Sequence, residues 1–206
     1  MPQNWTLTSI RVGEHDLTTS PDCLPDGNEE KTSTCVPEYI SIKIERSTIH
    51  EKFNSGSRGY DLGLIKLSQN IPFNVLIQPI CISKGVPLPQ KFHVSGWGKV
   101  GGTKGSDLKL RSYLSLEERR ICKEVYRREN VFLADDQFCA GGEYEEQPCV
   151  SDSGGPLMGV ERMEDGKHKM VVLGVLSMDS RFCKVRGWPG IFTDVQNFRS
   201  WIQQHL

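Results

Sequence analysis

The sequence predicts a mostly β fold closed by one C-terminal helix. Short stretches in which apolar and polar residues alternate recur along the chain, the period of half-buried strands. Clusters of Gly, Pro, Asn and Asp separate them, and these residues favour turns. Helical periodicity is confined to two segments, residues 114–128 and 197–206. Many short strands with few helices suit barrels or a sandwich. The 206 residues are enough for one domain with a real core or for two small lobes.

Residues 5–12 read as the first strand, Trp5, Leu7, Ser9 and Arg11 alternating with Thr6, Thr8, Ile10 and Val12. A loop is expected over 13–38. It holds Glu14, Asp16, Asp22, Asp26, Glu29, Glu30 and Glu38, and a Cys23–Cys35 bridge would pin it. Clustered carboxylates suggest a calcium loop; without EF-hand spacing, a solvated acidic loop is the plainer reading. Residues 39–49 alternate again through Ile40, Ile42 and Ile44, and 54–59 form a turn cluster. Residues 61–67 make an apolar strand with Asp61 at its start. A long connection, 70–88, contains Cys81.

The second half begins with a strand over 92–97 and a Gly- and Lys-rich loop over 99–107. The spacing predicts a helix over 114–128, with Ser115 as N-cap, Glu117 and Glu118 in the first turn and Cys122, Val125 and Tyr126 on one face. Residues 157–160 and 169–176 read as strands joined by a charged turn at Asp165-Gly166, and 188–195 as a further short strand. The closing helix, 197–206, places Phe198, Trp201 and Ile202 on one face.

The formal charge of −1 argues against nucleic acid or an anionic membrane as partner. The longest apolar run, about residues 170–176, falls far short of a membrane span. The first residues lack the basic start and apolar core of a signal peptide. The seven cysteines, Cys23, Cys35, Cys81, Cys122, Cys139, Cys149 and Cys183, include no C-x-x-C pair, which argues against zinc. Wide spacing in a loop-rich chain fits disulfides and an oxidising compartment, and the odd count leaves one cysteine over. Disulfide-type usage without a secretion signal suggests a piece of something longer.

The chemistry concentrates in residues 149–157, Cys-Val-Ser-Asp-Ser-Gly-Gly-Pro-Leu. An acid, a hydroxyl and glycines packed together suggest a nucleophile on a tight bend with backbone N–H groups aimed at one point. The same tetrad is also plain turn chemistry. Asp61 has two readings as well, a turn residue or an acid that orients a base.

Taken together, Asp61-Leu62-Gly63-Leu64-Ile65, Gly96-Trp97-Gly98, Phe138-Cys139-Ala140-Gly141-Gly142, the 149–157 stretch and Trp188-Pro189-Gly190-Ile191-Phe192-Thr193-Asp194-Val195 resemble the chymotrypsin/trypsin-like serine endopeptidases, in the family's order over nearly the whole chain. The loop with Cys23 and Cys35, and Cys81, look most like the clip-domain proteases of arthropods. The resemblance implies a trypsin-like double β-barrel with a C-terminal helix and an incomplete first barrel: residues 1–95 as the remainder of the N-terminal barrel, 96–206 as the C-terminal barrel and terminal helix. It implies Ser153 as nucleophile and Asp61 as the acid that orients the base. It places the oxyanion hole at the N–H groups of Ser151 and Ser153, and makes Asp152 the acid that receives the new N-terminus on zymogen cleavage. Gln147, Ser177, Asp179 and Gly190 fall at the specificity pocket. The implied disulfides are Cys122–Cys139, Cys149–Cys183 and Cys23–Cys35, leaving Cys81 to bridge to a segment before the protease domain. The expected partners are a protein substrate or a partner protease in an immune or developmental cascade outside the cell. No cofactor is expected, and Glu14 matches a ligand position of calcium-binding members.

The pattern breaks at the base. The family's catalytic His lies in a T-A-A-H-C type segment that this sequence does not show. His15, His50, His93, His168 and His205 all have the wrong context and read as surface or structural residues. Loss of one triad member costs on the order of 10⁴-fold or more, so the chain as written is expected to be inactive. The expectation is an incomplete gene model or splice product, with a shortened pseudo-protease as the alternative. About half of the first barrel would be missing, its strand edges open and Asp152 without its ammonium partner. Ser151 stands where the family has Gly; a Cβ there costs about 1–2 kcal/mol if φ is positive. Gln147 replaces the Asp at the pocket floor and Asp179 a Gly on its wall, so cleavage after Lys or Arg does not follow. These departures favour a non-catalytic homologue that binds or regulates other proteases; the retained Ser153, Asp61 and Gly154-Gly155 favour an enzyme. A purely structural disulfide module is the remote third reading.

Overall fold

The computed structural model describes residues 6–25, 33–98, 105–142, 153–178 and 187–206. They divide into two units, Met1–Thr48 with Ile65–Pro79 and Asp107–Lys109, and Ile49–Leu64 with Ile80–Ser106 and Leu110–Leu206.

Strand β1 (Ser9–Val12) pairs antiparallel with β4 (Ile40–Ile49), and β5 (Gly63–Leu67) flanks β4 on its other side. The alternation read from 39–49 is real: Ile42 is buried while its neighbours Ser41 and Lys43 are exposed. The expected loop over 13–38 is not irregular throughout. It contains the antiparallel pair β2 (Asp22–Pro25) and β3 (Ser33–Val36), in which Cys23 faces Cys35 and the two are disulfide-bonded. A covalent cross-link between paired residues shortens the loop that must be ordered, which lets a strand pair form in a polar stretch without apolar periodicity.

The second unit is a closed six-stranded antiparallel barrel. It is built from β7 (Lys91–Gly96), β8 (Leu110–Glu117), β9 (Gln137–Ala140), β10 (Pro156–Arg162), β11 (His168–Met178) and β12 (Gly190–Asp194), in the order β10-β7-β8-β9-β12-β11, with β11 returning to β10. Strand β6 (Cys81–Ile82) lies parallel beside β11. Closure removes free edges from the barrel itself. Inward residues Phe92, Val94, Phe138, Leu157, Leu173 and Phe192 form its core, each contributing about 1.5–3 kcal/mol through burial.

The structure corrects the helix expected over 114–128. Residues Leu110–Glu117 are strand β8, and the helix α1 starts at Arg119 and ends at Arg127. Ser115 is therefore not an N-cap; it pairs with Lys91 inside the barrel, and Glu118 occupies the cap position. Leu114 and Leu116 share a period-2 face that packs on the barrel core, and pairing with β7 and β9 outweighs their helical propensity. The helical face named for α1 stands: Cys122 and Tyr126 are buried, and Cys122 is bonded to Cys139 of β9.

Asp194 accepts the Gln196 N–H at 3.1 Å and starts a 3-10 turn, Val195–Phe198, that leads into α2 (Arg199–Gln204). Phe198, Trp201 and Ile202 are buried against Leu62 and Val195, as the amphipathic pattern predicts. Among the described residues no helix is long and apolar enough to cross a membrane.

Candidate active site

Asp61 lies in the second unit, just ahead of β5, and its backbone approach is constrained. Arg58 and Tyr60 both have positive φ, 55° and 58°, a region that costs a non-Gly residue about 1–2 kcal/mol. The conformation is held by the Asp136 carboxylate, which accepts the Tyr60 N–H at 2.6 Å, and by packing of the Tyr60 ring on His50 and Phe198. Thr193 of β12, fully buried, donates its hydroxyl to the Asp61 carbonyl at 2.8 Å. The side chain is fixed separately: Ser177 Oγ donates to Asp61 Oδ2 at 2.7 Å.

Ser177 is itself held. Buried Gln137 of β9 donates from Nε2 to Ser177 Oγ at 3.2 Å and to the Arg58 carbonyl at 2.9 Å, while its Oε1 accepts the Ala134 N–H at 3.1 Å. The acceptor bond fixes which end of the amide faces Ser177. The result is a directed chain, Gln137 to Ser177 to Asp61, in which each donor polarises the next.

Ser153 is exposed, at a turn directly ahead of β10. Gly154 has φ +87° with open space where a Cβ would stand, so the bend there rests on glycine's freedom at positive φ. The Gly154 N–H donates to the Leu176 carbonyl at 2.8 Å, and the Leu176 N–H to the Gly155 carbonyl at 2.9 Å. Residues 176 and 177 of β11 thus anchor, in succession, the bend that carries Ser153 and the carboxylate of Asp61.

His50 is buried among Tyr60, Phe198 and Trp201, and its Nδ1 accepts the Lys52 N–H at 3.2 Å. His205 Nδ1 lies 2.8 Å from the Trp201 carbonyl, His93 packs against Tyr113 with the rings tilted by 55°, and His168 is exposed at the start of β11. His15 belongs to the first unit, where its carbonyl accepts the Lys109 N–H.

Ser151, Asp152, Gln147, Asp179, Cys149 and Cys183 lie outside the described residues. Gly190 opens β12, half-buried, and a Cβ there would stand 3.1 Å from the Phe192 ring. Cys81 is exposed and unbonded. The Glu14 carboxylate is buried. Arg11 Nη1 donates to it at 3.0 Å, and the described residues hold no group of three or more His, Cys, Asp or Glu that could bind a metal. Sequence reasoning placed Ser177 in the specificity pocket and did not see its bond to Asp61. It missed Gln137 and Thr193 altogether, because nothing in a lone Gln or Thr signals a partner 40 to 132 residues away.

The closed antiparallel barrel followed by a terminal helix defines a fold class, the trypsin-like β-barrel domains. The sequence profile described as Trypsin matches residues 4–202, and the chain belongs to the trypsin family. It is 32% identical to the Drosophila melanogaster protein "Serine protease ea", over 100% of this chain and 54% of that protein. It is 34% identical to the "Spaetzle-processing enzyme" of the same organism, over 97% and 51%. The crystal structure of the Drosophila Grass clip serine protease of the Toll pathway superimposes with a TM-score of 0.81 at 31% identity, covering 98% of this chain and 57% of that one. The chain spans about half the length of the curated relatives it matches.

Proposed function

We propose that this chain is the greater part of an extracellular serine endopeptidase domain of the clip-protease type, acting by acyl transfer on a protein substrate in a protease cascade. The observation that carries the reading is the Asp61 carboxylate, fixed by Ser177 Oγ at 2.7 Å one residue from the anchor of the Ser153 bend. In this reading Ser153 attacks the scissile carbonyl, an imidazole between it and Asp61 takes the proton, and backbone N–H groups at 151 and 153 receive the oxyanion. The disulfides Cys23–Cys35 and Cys122–Cys139 suit an oxidising compartment. Cys81, exposed and unbonded, is available to bridge to another segment.

We further propose that the 206 residues do not supply the imidazole. What supports this is the engagement of His50, His93 and His205 with other partners. Without a base the hydroxyl is a poor nucleophile, at a loss of about 10⁴-fold or more. A fluorophosphonate probe with in-gel detection tests it: trypsin labels and this chain does not. Labelling of Ser153, abolished by Ser153→Ala, overturns the proposal.

A second reading, a non-catalytic homologue that regulates other proteases, is favoured by Ser151, Gln147 and Asp179 in place of the family's usual residues. Sequencing the 5′ end of the transcript separates the two. An in-frame Ala-Ala-His-Cys run ahead of Met1 supports the enzyme, and a replaced His supports the homologue.

A further inference from the structure

Helix α1 carries a feature that the acyl-transfer site does not use. A groove of about 570 Å³ runs along it, lined on one side by Arg120, Lys123 and Arg127 and on the other by Val131, Phe132 and Leu133. The three cations are spaced i, i+3, i+7 and so share one helix face. The Val131 N–H donates to the Tyr126 carbonyl at 3.0 Å, which turns the chain back at the helix end and sets residues 131–133 beside that face.

The charge of the groove is unbalanced. Arg120 is 3.9 Å from Glu118. Glu124, the acid in the groove, is 3.7 Å from Arg128, so its charge is already opposed. Lys123 and Arg127 are exposed and have no ion pair among the described residues. Beside them Phe132 leaves 70% of its surface in water, while Leu133 is buried beneath. The exposed Phe132 ring thus stands in one groove with Lys123 and Arg127, two cations without an ion pair among the described residues, and aromatic and Arg side chains are enriched at protein interfaces.

We infer that this groove docks an acidic segment of a protein partner that carries an aromatic or branched apolar side chain. Carboxylates of the segment meet Lys123 and Arg127 along the helix, and its apolar side chain covers Phe132 against Val131. The apolar wall selects a peptide over a sulfated polysaccharide, which has carboxylate and sulfate charge but nothing to lay on a phenyl ring. The inference does not depend on the acyl-transfer reading, since none of these residues takes part in it.

The test uses the full chain and a fluorescein-labelled peptide of alternating Asp and Glu with one central Phe, read by fluorescence anisotropy. Saturable binding that weakens as salt rises from 50 to 200 mM is expected. The pair Lys123→Glu and Arg127→Glu should weaken it about tenfold or more, and Phe132→Ala about fivefold. Replacing the peptide's Phe by Ser should match the loss from Phe132→Ala. Near-ultraviolet circular dichroism confirms that the variants keep the wild-type fold; all three side chains are exposed, and folding does not rest on them. Absence of saturable binding overturns the inference, as does binding indifferent to the charge reversal. Binding of a heparin oligosaccharide through Lys123 and Arg127 in place of the peptide overturns it too.

Discussion

Ser177 Oγ donates a hydrogen bond of 2.7 Å to Asp61 Oδ2, across 116 residues of chain. The donor is in turn bound by Gln137 Nε2 at 3.2 Å. The orientation of the carboxylate is therefore decided two side chains away from it.

Ser177→Ala should lower the unfolding free energy by about 1.5–3 kcal/mol, the usual worth of a hydrogen bond to a charged group. Because Gln137 acts through Ser177, the double variant Ser177→Ala/Gln137→Ala should cost less than the sum of the two, with a coupling of about 0.5 kcal/mol or more. Urea unfolding of the four proteins measures it; strict additivity would show that the two side chains act separately.

Two glycines make a contrast. Gly142 and Gly154 have nearly the same φ, +86° and +87°. A Cβ at Gly154 meets nothing within 4 Å, whereas one at Gly142 would stand 2.9 Å from the Pro189 backbone nitrogen. Gly154→Ala should cost only the backbone strain, about 1–2 kcal/mol. Gly142→Ala should cost that and a further 1–3 kcal/mol or so of overpacking. Equal unfolding midpoints for the two variants would contradict the packing described around Pro189.

The Cys122–Cys139 bond closes a loop of 17 residues, and both cysteines are buried without remainder. Replacing both by Ala should lower stability by about 2–4 kcal/mol, mainly by freeing the unfolded chain. Thermal unfolding with and without reductant checks this. The double variant should be insensitive to reductant at this bond, and a loss below about 1 kcal/mol would contradict it.

Glu51 binds the terminal helix: Trp201 Nε1–H donates to its carboxylate at 2.8 Å. Its own backbone N–H and the Trp201 N–H hold the carboxyl below its usual value of 4.5. A depressed carboxylate binds fewer protons folded than unfolded, so its contribution is present above pH 4.5 and lost as pH falls through the lowered folded value. Glu51→Gln should remove part of the acid sensitivity of the wild type, seen as a flatter dependence of the Trp emission midpoint between neutral and acid pH. An unchanged profile would contradict the assignment.

Asp194 has the opposite sign, its carboxyl pushed up chiefly by burial. Protonating it on acidification offsets some of the loss at Glu51. The difference between wild type and Glu51→Gln is therefore the quantity to read, not the wild-type curve alone.

Much of the site was legible in the residues themselves. The Ser153–Gly155 bend and Asp61 at the head of an apolar strand were identifiable because turn chemistry and alternation are local. The 114–118 stretch was misread for the same reason. Leu114, Glu117 and Glu118 fit a helix start when taken alone, and only pairing with β7 and β9 makes Leu110–Glu117 a strand. Gln137 and Thr193 were invisible, since their roles exist only after β9 and β12 are brought to Arg58, Asp61 and Ser177.

The sequence by itself determined the β class and the amphipathic terminal helix, both of which rest on periodicity, whereas the roles of Ser153 and Asp61 are implied by the family resemblance alone. Tertiary structure alone decided that Asp61 is fixed through Ser177, that His50 is enclosed by three aromatic rings, and that three cations of α1 share a groove with an exposed Phe132. Hydrogen bonds and desolvation depend on distances between residues far apart in the chain, and those distances come into being only when the barrel closes.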